Sequence, residues 1–165
     1  MWSTDITYIK LEKGFVYLAA IIDWNTKKIL SWKLFNTMYV SLTTSVPNEA
    51  LSIYPKPEIF NIDQGSQYTT KEHIDILVSI SMDAKGRSMN NIVIERFWRT
   101  LEYENVYPSL YTNIKEAREG IKEYINIYNS ERLHSALEYL TPDEVYYEGA
   151  NNRCYNASKV LLGVA

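Results

Sequence analysis

Phe15-Val16-Tyr17-Leu18-Ala19-Ala20-Ile21-Ile22-Asp23 is a nearly unbroken apolar run. It is too short to cross a bilayer, which takes about 20 apolar residues. Read as a strand, it has no polar face to give to water, so both of its faces need cover. A chain built around such a strand must place layers on both sides of a sheet. The neighbouring segments fit that demand. Ser3 to Ile9 alternates and is rich in Thr, Ile and Tyr, which predicts a strand. Asn25 to Lys28 reads as a turn, and Ile29 to Phe35 returns as a third strand. The chain therefore opens with an antiparallel meander.

Residues 39–54 have a weak helical pattern, opposed by Pro47, which costs about 3 kcal/mol or more inside a helix. Pro55 and Pro57 end that segment. Glu58 to Asp63 reads as a short strand closed by Gln64-Gly65-Ser66. Thr70 can cap a helix to about Val78, Ile80-Ser81-Met82 is a brief strand, and Lys85 to Ser88 is a loop. In the helix expected from near Asn91, Ile94, Phe97, Trp98 and Leu101 recur at i, i+3, i+4 and i+7, a buried stripe. Asn91, Glu95 and Glu102 form a polar stripe beside it. A long helix is expected from about Asn113 to Asn129. A short one starts at Thr141-Pro142-Asp143-Glu144, with Pro at its first position. Strands followed by helix, strand and more helices predict an α/β protein with a mixed sheet flanked by helices.

The chain's 165 residues amount to one domain able to bury its own core. A single cysteine, Cys154, excludes an internal disulfide and a cysteine-based zinc site. No secretory signal or membrane span is visible, so a cytoplasmic protein without membrane partners is expected. Seventeen Lys and Arg against 20 Asp and Glu leave a net charge of −3. That excludes a broad basic face for gripping nucleic acid, so any such contact must be local.

Three acids carry the chemistry. Asp5 lies within the first strand, Asp63 ends the short fourth strand, and Glu95 lies in the helix that follows. Each has an ordinary reading: a strand aspartate paired to lysine, a turn aspartate, a solvated helix glutamate. Their joint occurrence in this order favours another reading. Carboxylates are the hard oxygen ligands that Mg²⁺ prefers. Two such ions about 3.5–4 Å apart can activate an attacking oxygen and stabilise a leaving one. The nucleophile would then be water or a 3′-hydroxyl.

The blocks around these acids carry a resemblance. They are Trp2-Ser3-Thr4-Asp5-Ile6-Thr7-Tyr8-Ile9, Asp63-Gln64-Gly65-Ser66-Gln67-Tyr68 and Asn91-Ile92-Val93-Ile94-Glu95-Arg96-Phe97-Trp98. Tyr128-Asn129, and Arg132 with His134-Ser135-Ala136-Leu137 and Thr141-Pro142, continue it. Over residues 1–148 the chain resembles the integrase-type (DDE) catalytic core of bacterial insertion-sequence transposases, related to retroviral integrases. Residues 149–165 remain as a C-terminal tail. The resemblance implies an RNase H-like fold with a five-stranded mixed sheet and Mg²⁺ or Mn²⁺, as two ions. It implies DNA cleavage and strand transfer on element ends and target DNA. By motif position, Asp5, Asp63 and Glu95 fall on its metal-binding acids. A homo-oligomer is expected. The alternatives are an RNase H-like nuclease that cuts without joining, and an inactive, decayed transposase fragment.

Lys85, Arg87, Arg96 and Arg99 surround Glu95 in sequence and are expected to meet DNA phosphates. Asn91, one turn before Glu95, is expected to touch the DNA end or order the glutamate. Arg132 and His134 are expected to be structural or DNA-proximal. Some positions depart from the family pattern. Asn90 stands where the family has Asp, and it serves equally well if that position is the helix N-cap. Ile62 replaces a small polar residue beside Asp63. Pro47 falls within a family helix. Residues 64–94, which separate Asp63 from Glu95, are a few fewer than the family norm, the difference falling between His73 and Ile80. The upstream helix-turn-helix of full transposases is not in the sequence, so a truncated copy is expected.

Overall fold

The computed structural model describes residues 1–37, 40–62 and 91–149. Its centre is the meander. Strands β1 (Trp2–Lys10), β2 (Phe15–Asp23) and β3 (Ile29–Phe35) are joined by two short turns. Helix α1 (Val40–Ile53) follows, then the short strand β4 (Phe60–Ile62). The sheet order is β3-β2-β1-β4. β2 is antiparallel to both β1 and β3, whereas β4 runs parallel to β1. The sheet is therefore mixed, as expected. Of the five strands expected, four are among the described residues; the fifth, at 80–82, lies outside them. So do the helix expected from Thr70 and most of the tail.

The two faces of β2 are both covered, as its apolar run requires. On one face Val16, Leu18, Ala20 and Ile22 form a cluster with Ile9 of β1 and with two helices. These are α2 (Ile92–Leu101) and α3 (Ile114–Ser130). On the other face Ala19 and Ile21 pack with Trp2, Leu30 and with Val46 and Ala50 of α1. The predicted stripe of α2 is the buried one: Ile94, Phe97, Trp98 and Leu101. Full burial of side chains of this size contributes about 1.5–3 kcal/mol each. That outweighs what α2 loses by starting without a side-chain cap.

Helix α1 runs through Pro47. The proline is fully buried, in the same helix as Val46 and Ala50, which pack against the sheet. Packing there offsets the missing backbone hydrogen bond, which the helical pattern alone left open. α2 leads into one π-helical turn, Glu102–Val106, and a last α-turn, Tyr107–Ser109. Leu110 then takes a left-handed conformation (φ 46) and ends the rod. Asn113 caps α3, accepting from the N–H groups of Lys115 and Glu116 at 3.0 Å each.

Helix α4 spans 142–149. Thr141 and Glu144 form a reciprocal cap at its start: Thr141 N–H donates to the Glu144 carboxylate at 2.7 Å, and Glu144 N–H donates to Thr141 Oγ1 at 3.2 Å. The helix is tied to the sheet through Lys28, whose Nζ donates to Asp143 at 2.6 Å and to Tyr147 at 3.2 Å. The same ammonium lies over the rings of Tyr146 and Tyr147. Burial opposes the Lys28 charge, but the bonds to Asp143 and Tyr147 outweigh it and raise its pKa.

Candidate functional site

Asp5 sits in the middle of β1, opposite Ala20 of β2. Alternation along the strand puts it on the same sheet face as Ile9. That is the face covered by α2. It is partly exposed, and the Trp98 indole N–H donates to its Oδ2 at 3.0 Å. Trp98 stands in the apolar stripe, which predicts a core residue. It is buried (6% exposed), but its polar edge also orients the carboxylate. The signal was present in the spacing: Trp98 lies three residues after Glu95, one turn along α2 on the side that faces Asp5.

Glu95 is exposed in the first turn of α2. An acid there is favoured by the helix dipole. Arg96 and Arg99 are also exposed. Asn91, not Asn90, is the N-cap of α2, and its side chain makes no capping bond. Asn91 is buried (7% exposed) and accepts a 2.7 Å hydrogen bond from Asn61 Nδ2 of β4. This side-chain pair joins the parallel strand β4 to the start of the helix that carries Glu95. Nothing in the local sequence around either asparagine announces it, because the partners are 30 residues apart.

β4 is paired through Ile62, which stands opposite Thr4, the residue before Asp5. Asp63 follows Ile62 in sequence but lies outside the described residues, as do Lys85 and Arg87 and the expected cap position Asn90. Among the described residues no group of three metal-ligating side chains is gathered. The structure therefore brings Asp5, Trp98 and the helix of Glu95 to one face of the sheet.

Arg132 and Tyr124 converge on Glu104 in the π-turn. Both guanidinium nitrogens of Arg132 donate to its carboxylate, and the Tyr124 hydroxyl donates at 2.8 Å. The Arg132 bonds hold the Glu104 carboxyl below its usual range. Arg132 is thus the tie between the π-turn and the segment after α3. Asn129 performs a second tie. Its side chain pairs with both backbone groups of Ile29, at 2.9 Å each, and docks the end of α3 on β3. His134 stacks edge-on against Tyr128, with ring centroids 4.9 Å apart. Burial lowers its pKa, and the nearby charges of Arg132 and Lys27 lower it further.

Comparison with known proteins agrees with this arrangement. Two models, both described as integrase core domain, match residues 1–87 and 77–142. The chain is 34% identical over 151 residues to the transposase for insertion sequence element IS904 of Lactococcus lactis, covering 87% of this chain and 60% of that one. It is 31% identical to the putative transposase InsK for IS150 of Escherichia coli, covering 87% and 53%. An uncharacterized transposase-like protein of Haemophilus influenzae is 30% identical, covering 86% and 68%. The chain thus spans between half and two thirds of the length of the first two relatives.

Solved structures share the fold. The HTLV-2 integrase catalytic core in complex with magnesium, in its trimeric form, superposes with a TM-score of 0.68 at 18% identity, over 87% of this chain and 93% of that one. The catalytic core of BIV integrase gives 0.67 at 14% identity, over 92% and 96%. The fold is therefore that of the retroviral integrase core, the RNase H-like class. Taken with the matched motifs, these findings establish that the chain belongs to the integrase core domain family.

Proposed function

We propose that the chain is the catalytic core of a DNA transposase. In this reading Asp5, Asp63 and Glu95 hold divalent metal for cleavage at element ends and transfer of the 3′ ends to target DNA. The observation that carries it is the setting of Asp5. A carboxylate at mid-strand, partly open to water, is held by an indole N–H from the helix that bears the second acid. A donor that orients a ligating carboxylate is the usual supporting partner of a metal site. The donor set is all carboxylate oxygen, which suits Mg²⁺ or Mn²⁺ and not a thiolate-seeking metal.

The parallel pairing of β4 with β1 supports including Asp63. The last described pair is Thr4 with Ile62, and the acids are the next residue on each chain segment. The Asn61–Asn91 bond supports including Glu95, because it anchors the start of its helix to the same strand. When bound, two ions would supply Lewis-acid activation of the attacking oxygen and charge stabilisation at the leaving one. The protein's own residues would orient the carboxylates and the phosphodiester. Lys85, Arg87, Arg96 and Arg99 would meet DNA phosphates, which position DNA without reading its sequence. Asn91 would act on Glu95 indirectly, through the strand–helix clamp. The working form would be a homo-oligomer in the bacterial cytoplasm.

The test is a strand-transfer assay with Mn²⁺ and a pre-cleaved element end, comparing wild type with Asp63→Asn. Joined product from wild type and none from the variant is the expected result. Hydrolysis without joining would instead indicate a nuclease. Equal joining by both proteins would overturn the proposal.

A further inference from the structure

A cleft of about 170 Å³ opens between α2 and the segment after α3, with Lys27 from the β2–β3 turn at its rim. Its polar lining is Lys27, Arg96, Thr100, Arg132 and His134, and its floor includes Phe97 and Tyr128. None of the lining residues is acidic. Val93, Arg96, Phe97 and Thr100 recur at i, i+3, i+4 and i+7, so they share one side of α2. Glu95 and Trp98 lie on another side of that helix. The cleft is therefore separate from the acidic site.

Several features show that its positive groups are crowded, although the Lys27 ammonium also donates to the Trp24 carbonyl. The Lys27 ammonium is pushed toward its neutral form, first by burial and then also by Arg96, against the pull of Asp23. His134 is pushed the same way by burial, Arg132 and Lys27. Its Nε2 is buried and finds no hydrogen-bond partner among the described residues. Arg96 makes no ion pair among the described residues. Glu104 engages Arg132 by both guanidinium nitrogens, and Asp23 is the acid that acts on Lys27. Like charges held together favour whatever anion can enter between them. A water's share of liquid volume is about 30 Å³, so the cleft has room for a tetrahedral oxyanion.

We propose that this cleft is a phosphate-binding site, with Lys27 and Arg96 as its ligands, His134 beside them, and a backbone phosphodiester of DNA as its occupant. The shared chemistry is a tetrahedral phosphate group, which a free phosphate could also supply. A duplex held here would be gripped on the side of α2 away from Glu95, adding a contact that positions DNA without reading it. It would also give the His134-Ser135-Ala136-Leu137 block a role beyond packing. The choice of DNA as source rests on the transposase reading; the phosphate site itself does not.

The test follows the ring resonances of His134 by NMR, in the full chain at neutral pH with EDTA and constant ionic strength. The signals are assigned with a His73→Gln variant, His73 being the only other histidine. Inorganic phosphate and a short DNA duplex are titrated separately, with sodium chloride as the reference. Both are expected to shift His134 saturably. Arg96→Gln, at an exposed helix position, is expected to weaken both by about tenfold or more, the loss of one charge-assisted hydrogen bond. Lys27→Gln should act likewise, Lys115→Gln should have no effect, and Asp5→Asn should leave the response intact. No saturable shift, or an Arg96→Gln response equal to wild type, overturns the site. A response to inorganic phosphate with none to duplex overturns DNA as its occupant. Because metal is absent throughout, failure of the acidic site would leave this result unchanged.

Discussion

Asp5 and Trp98 are 93 residues apart in the chain and share a 3.0 Å hydrogen bond. Replacing Trp98 with Phe keeps a large ring in the cluster but removes the only indole N–H at that position. By analogy with other outer-shell ligand partners, Trp98→Phe should weaken Mn²⁺ binding by about 10- to 100-fold. Chemical denaturation should show that the variant remains folded. Unchanged affinity would remove the orienting role given to Trp98. His134 supports a different prediction. Its folded pKa lies below the unfolded value near 6.5, so the unfolded chain binds more protons between the two values. Stability should then fall as pH drops through about 6.5 toward the folded pKa, and be level above that window. Denaturant midpoints across this range should show that slope, and His134→Gln should flatten it. The acids stand out in sequence because motif blocks surround them. The Asn61–Asn91 clamp and the Trp98 donor do not, because each depends on a partner that only folding brings near.

Among the elements, the strands were the most legible. β2 and β3 begin and end where the apolar pattern does, because a two-sided buried strand has no freedom to slide without exposing its faces. α1 was less legible, since a local penalty at Pro47 competes with burial against the sheet. The π-turn had no sequence signal, yet it carries Glu104 to Arg132 and Tyr124. In α3, Gly120 marks a close approach. A Cβ there would fall 2.0 Å from the Tyr111 hydroxyl, which donates to Asn105 at 2.7 Å. Helix propensity alone would favour alanine by about 1 kcal/mol. Gly120→Ala should nevertheless destabilise the fold by about 1–3 kcal/mol, the usual cost of overpacking, seen as a lower urea midpoint. A stabilised variant would mean that the Tyr111 ring moves aside without loss.

At the scale of the whole molecule, the sheet is a platform that brings distant segments to one face. β1 supplies Asp5, and α2 is laid across it by the buried stripe of Ile94, Phe97, Trp98 and Leu101. α3 is docked on β3 by Asn129 and the segment after it is tied to the π-turn by Arg132, and α4 is fastened through Lys28. The proposed phosphate contacts are local, as the low overall charge requires: Lys27, Arg96 and Arg132 line one cleft beside α2. In the proposed function Asp5, Asp63 and Glu95, distant in sequence, act as one metal site. Mn²⁺ binding to the purified chain, followed by titration calorimetry, tests it most directly, with Asp5→Asn, Asp63→Asn and Glu95→Gln compared with wild type. Measurable binding by wild type and a loss of about tenfold or more in each variant are expected, since each removes one anionic ligand from a shared ion. Wild-type affinity in any one of the three would contradict it.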